Sequence, residues 1–113
     1  MKKKYSHQKL IRDKIPEHIK ASGNEYKIRI LDKTDFEKEL KKKLLEESRE
    51  VIDAPKKSLL NELADVLEVT KSIASHYKIS FNEVEEFQIE KRKRRGGFKK
   101  KLFLMWSTGK AGK

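Results

Sequence analysis

The chain has 113 residues, 35% of them hydrophobic and 42% charged, so a single soluble domain with a thin core is expected. Its formal charge of +11 points to nucleic acid or another polyanion as partner. The composition excludes a membrane span, and the absence of cysteine excludes disulfides and thiolate metal sites.

The basic stretch Met1–His7 is followed by no apolar run, so no secretory signal is expected and a cytoplasmic location fits. Residues 1–8 read as a basic leader. Within Lys9–Gly23 the pattern predicts a short helix, with Pro16 near its first turn and Gly23 just past its end. Tyr26, Ile28 and Ile30 alternate with Lys27 and Arg29, the period of a half-buried strand. Thr34 with Glu37 three residues later predicts a capping box opening a helix that runs to about Ala54, where Pro55 stops it. A second long helix is expected from Pro55–Ser58 to about Tyr77. A third starts at Ser80, again with a glutamate (Glu83) at the box position, and ends at Gly96-Gly97. Phe98–Trp106 reads as a second short strand, paired with Tyr26–Leu31, and the tail 107–113 as disordered. The expected fold is all-α: a bundle of three main helices plus a short N-terminal one, with a minor two-stranded β-ribbon. It forms one domain over 1–106, and oligomerisation would bury more apolar surface.

Acidic residues are plentiful here, so position decides which of them matter. On the 34–54 helix, Phe36, Leu40, Leu44 and Val51 form an apolar stripe, with Glu47 in its middle and Glu50 on its flank. Leu45 and Ile52 occupy the opposite side, which implies neighbours on two faces. On the next helix, Glu62 shares a side with Val66, Val69 and Ile73, and Asp65 stands beside it. Both pairs use i, i+3 spacing, which puts two carboxylates on one helix face. The turn at Pro55 would set the four acids face to face. Two readings fit Glu47: a ligand, or a rim carboxylate paired with a lysine. Four clustered carboxylates repel, and a divalent cation resolves the conflict. Donors that are all oxygen select a hard ion, so magnesium is expected, with manganese as a substitute. His7, His18 and His76 form no ligand spacing with one another and read as ordinary histidines.

Residues 91–101 hold eight basic residues and no acid. Lys91 and Arg95 continue the face set by Phe81, Val84 and Gln88, so the end of the third helix should be inward and cationic. Basic residues suit a helix C-terminus, but five in succession exceed that need and suit a triphosphate. Gly96-Gly97 would let backbone amides approach a phosphate. Arg12 and Lys14 are further candidates for phosphate contacts.

The spacing Glu46-Glu47-x-x-Glu50, eleven residues, then Glu62-x-x-Asp65 resembles the signature of the all-α nucleoside triphosphate pyrophosphohydrolase superfamily, which includes MazG-like proteins. The segments Lys9–Pro16 and Arg95-Gly-Gly-Phe98 resemble a MazG-like, phosphoribosyl-ATP-pyrophosphohydrolase-like subgroup. The resemblance implies a dimer or tetramer that holds magnesium through Glu47, Glu50, Glu62 and Asp65. It also implies cleavage of nucleoside triphosphates to monophosphate and pyrophosphate, with a role in nucleotide-pool house-cleaning. In that scheme Glu46 or Glu50 takes the proton of the attacking water, and Lys91, Arg94 and Arg95 neutralise the departing pyrophosphate, helped by Arg12 or Lys14. The competing readings are a nucleic-acid-binding module built on 91–101 and a helical partner protein with a decayed site.

Overall fold

The computed structural model describes residues 3–109, and everything regular among them is helical. The helices are α1 (Ile15–Ala21), α2 (Lys33–Asp53), α3 (Leu59–His76) and α4 (Phe81–Arg95), with one 3₁₀ turn at Lys56–Ser58. The chain divides into two units, one ending at Ile79 and the other beginning at Ser80.

In the first unit, α2 and α3 pack as an antiparallel hairpin. The extended Ala54 and Pro55 (ψ 134° and 156°) end α2, because a residue before proline is driven out of the helical region. The 3₁₀ turn then redirects the chain into α3. Leu40, Val69 and Ala74 are the buried core of this seam. Leu45, Ile52, Leu60 and Leu63 remain exposed, Leu60 at 82%. Leu60, Leu63 and Leu67 follow one stripe of α3 at i, i+3, i+7, so the hairpin carries an apolar face that the single chain does not cover. In the helix before it, α1, Pro16 occupies the first turn, and Gly23 follows its end at φ 77°.

The start of α2 differs from the sequence expectation. Asp32, not Thr34, is the N-cap: its Oδ1 accepts from the amide of Asp35 at 2.8 Å. Asp32 has the extended backbone that an N-cap needs (φ −73°, ψ 173°), and its negative charge suits the helix N-terminus better than a hydroxyl. Glu37, the expected capping partner, is instead bonded to His76 Nε2 at 3.0 Å, across to the last turn of α3. Phe36 packs edge-on against the His76 ring at 5.2 Å, and Tyr77 does so at 5.0 Å. This cluster fastens the open end of the hairpin.

In the second unit, Ser80 caps α4 as expected, its Oγ accepting from the amide of Glu83 at 3.2 Å. Gly96, at φ 83°, follows the last helical residue. The two predicted strands are not formed among the described residues. Tyr26, Ile28 and Ile30 lie in an irregular exposed segment. The 98–106 segment opens with a turn, in which the Lys101 amide donates to the Phe98 carbonyl and Lys101 takes φ 58°. Period-2 alternation specifies a strand only where a ladder partner exists, and a left-handed residue interrupts one. On the face of α4 expected to be inward and cationic, Phe81, Val84 and Lys91 are half-buried while Gln88 and Arg95 are exposed. Phe87 and Ile89 project about 160° apart on this helix, so no single apolar side fixes its orientation. Of the tail expected to be disordered, residues 110–113 lie outside the described residues.

The Glu37–His76 bond gives the hairpin a defined acid sensitivity. The hydrogen bond from His76, joined by the charges of His76, Lys33 and Lys41, holds the Glu37 carboxyl below its ordinary 4.5 despite the opposing effect of burial. A lowered folded-state pKa stabilises above the ordinary value and is lost as pH falls through the lowered one. Glu37→Gln should therefore melt below wild type at pH 7, and the two melting curves should converge as pH drops under about 4.5. Circular dichroism melts from pH 7 to 3 check this; a gap independent of pH would refute the assignment.

Candidate active site

The fold brings three acids together on the facing sides of the hairpin. Glu47 comes from α2, and Glu62 and Asp65 come from the first two turns of α3. One carboxylate oxygen from each lies within 4.8 Å of the others. The i, i+3 pairing on α3 does what the spacing predicts, since Glu62 and Asp65 share a face. The Glu47 side chain is only 13% exposed, against 31% for Asp65, as its place in an apolar stripe requires.

Two cations meet this cluster. Lys43 Nζ stands 3.5 Å from both Glu46 Oε2 and Glu47 Oε1, one helical turn earlier on α2. Arg12 Nη2 donates to Asp65 Oδ1 at 2.7 Å. The lysine-paired reading of Glu47 is thus realised, yet it leaves the cluster under-compensated: three acids face two cations, and Lys43 divides its charge with Glu46. The carboxylate of Glu62 has no hydrogen-bond or ion-pair partner among the described residues. A set of oxygen donors with surplus negative charge fits a hard divalent cation.

The remaining predicted residues are placed less centrally. Glu50 is exposed and lies outside the group of three, one turn along α2 from Glu47. Glu46 is partly exposed and held by Lys43. Lys14 is exposed at the N-cap of α1. Lys91, Arg94 and Arg95 belong to the last turns of α4, in the second unit. There Arg92 lies against Gly97, its guanidinium carbon 3.4 Å from where a Cβ would stand, so that glycine admits a cation close to the backbone. Lys43 was not anticipated. Its position three and four residues before Glu46 and Glu47 was the available signal, though lysine preceding glutamate is the weaker order for such a pair.

An open hollow of about 420 Å³ lies elsewhere on the hairpin, lined by residues including Phe36, Lys71, Ser75 and His76. It contains none of the three clustered acids. Along α3, His76 is about 21 Å from Glu62 at 1.5 Å per residue, so cavity volume and acid chemistry point to opposite ends. The chemistry decides, because a metal–phosphate site needs converging charge more than enclosure.

The hairpin thus presents one carboxylate from α2 and two from α3 at a single place. The sequence model of the MazG nucleotide pyrophosphohydrolase domain matches residues 36–97. That span is more than half of the chain, and the protein belongs to this family of hydrolases acting on acid anhydrides. It contains all five acids of the motif and the first five cations of the basic run, 91–95. No curated protein and no solved structure matches the chain. Among the described residues, no helix is long and apolar enough to cross a membrane.

If the cluster takes a divalent cation, binding relieves its repulsion and stabilises the fold by mass action. Millimolar magnesium should raise the melting temperature of wild type by several degrees. Glu47→Gln and Asp65→Asn should abolish that rise. A shift that survives both substitutions would remove these residues from the site.

Proposed function

We propose that the protein is a magnesium-dependent nucleoside triphosphate pyrophosphohydrolase, releasing monophosphate and pyrophosphate. The observation that carries this reading is the convergence of Glu47, Glu62 and Asp65 from two helices inside the family match. Manganese would substitute for magnesium, since both are hard ions served by oxygen ligands. Clearing unwanted nucleotides from the pool in the cytoplasm is the role this activity would serve. The whole of 1–106 is read as one MazG-like domain.

When bound, the ion supplies positive charge to the phosphate oxygens and acidifies a water molecule. Glu47, Glu62 and Asp65 would hold it, with Glu50, one turn along α2, as the fourth expected ligand. Glu50 or Glu46 accepts the proton of the attacking water; both are exposed enough to meet solvent, and neither is part of the group of three. Attack at the α-phosphorus then expels pyrophosphate. Lys91, Arg94 and Arg95 are retained on sequence grounds as the cations that neutralise it, with Arg12 and Lys14 beside the hairpin. Glu50→Gln should reduce pyrophosphate release by at least about a hundredfold, the scale of a lost general base, with an unchanged circular dichroism spectrum. Wild-type turnover by that variant would exclude Glu50 from the chemistry.

We further read the working form as a homodimer or homotetramer. The uncovered stripe of Leu60, Leu63 and Leu67 on α3, with Leu45 and Ile52 on α2, supports this. A two-helix hairpin that leaves such a face open buries it well against another hairpin. Leu60→Glu costs an exposed side chain nothing in a monomer but places a charge in that interface. Light scattering after size exclusion should show a multimer for wild type and a smaller species for Leu60→Glu. Equal masses would contradict the placement.

A further inference from the structure

Arg12 and Lys43 both compensate the acid cluster, but they are built differently. Lys43 is enclosed, with 18% of its side chain exposed, and it spans two acids of its own helix. Its geometry fixes it in place. Arg12 is 57% exposed and reaches Asp65 from the segment before α1, fifty-three residues away in sequence. Its backbone is anchored, since its carbonyl accepts from the Ile15 amide at 3.1 Å. Its side chain holds Asp65 through one nitrogen, and among the described residues its other N–H donors meet no acceptor, which leaves them for a ligand.

That contact competes with the function proposed above. A guanidinium on Asp65 Oδ1 keeps a positive charge within a few ångströms of any ion that Asp65 would ligate, and like charges at that range repel. A triphosphate arriving beside the ion reverses the balance, because its tetrahedral phosphate groups offer pairs of anionic oxygens to the planar guanidinium fork, where Asp65 engages it through a single oxygen.

We propose that Arg12 is a charge latch: it neutralises Asp65 while the cluster holds no ion, and passes to the substrate's phosphates when a divalent cation takes that carboxylate. The latch rests on the cation-binding reading of the cluster. It makes cation and phosphate binding mutually favourable, because the phosphate draws off the group that opposes the cation, and linkage makes the effect reciprocal. The empty site carries less repulsion with Arg12 in place, and metal affinity is held down until substrate arrives.

The test is binding by the full chain, read in two ways. Manganese affinity is measured by the electron paramagnetic resonance of the free ion, and pyrophosphate affinity by calorimetry in saturating magnesium. Wild type is compared with Arg12→Ala and Arg12→Gln; an exposed side chain makes loss of folding unexpected, and circular dichroism checks it. The expected result has opposite signs: manganese binds about three- to tenfold tighter to both variants, and pyrophosphate binds about tenfold weaker, on the scale of one charge-assisted hydrogen bond. Weaker manganese binding would overturn the latch and make Arg12 a residue that positions Asp65. Unchanged manganese binding would overturn it too. A wild-type chain that binds no manganese removes the cation site itself, and the latch with it; that outcome is distinct because Glu47→Gln would then match wild type.

Discussion

Mutual repulsion among Glu47, Glu62 and Asp65 is the constraint around which the hairpin is organised. Two unit charges within 4.8 Å of each other repel by about 3 kcal/mol or more before any compensation, at an effective dielectric near 20. That is a large fraction of the stability of a small domain. The pairing of α2 with α3 places these charges in contact, and Lys43 and Arg12 relieve only part of the strain. Other features of the unit hold the two helices together against it. The extended Ala54-Pro55 link brings the two helices back on themselves, and the clasp of Glu37, His76, Phe36 and Tyr77 secures them at the far end. The apolar seam of Leu40, Val69 and Ala74 supplies the contact between the two.

The same constraint links stability to function. Residues that hold a catalytic ion must be close enough to share it, and in its absence they push the helices apart. Under the proposed function, a hydrolase of this size trades stability in the empty state for affinity in the loaded one. The uncovered stripe on α3 has a related consequence. A hairpin with so few buried side chains gains little from its own core, so covering that stripe with a second copy would offset the repulsion that the acid cluster imposes.

Much of this was legible in the sequence. Helix limits set by Pro55, Ser80 and Gly96 were readable because proline, a serine cap and a left-handed glycine act locally. The inward placing of Glu47 and Glu62 was readable because a carboxylate within an apolar helical stripe is conspicuous. The errors share another origin. Asp32 displaced Thr34 as the cap because its carboxylate and extended backbone suit the helix N-terminus, and Glu37 pairs instead with His76, thirty-nine residues away, which no local rule sees. The ribbon failed for a similar reason: alternation in Tyr26–Ile30 describes a side-chain pattern but cannot supply the partner strand. Lys43 was overlooked because one lysine among many on a charged helix has no signature until the acid it serves is known. Arg12 was named, but its partner Asp65 could not be, since the pairing joins distant segments.

The central claim concerns which phosphate bond is cut, and product identity tests it most directly. Phosphorus NMR of a panel of nucleoside triphosphates incubated with the protein and magnesium should show pyrophosphate and nucleoside monophosphate accumulating in equal amounts for at least one substrate, with no product when magnesium is chelated. Orthophosphate with nucleoside diphosphate, or equal turnover after chelation, would contradict the account.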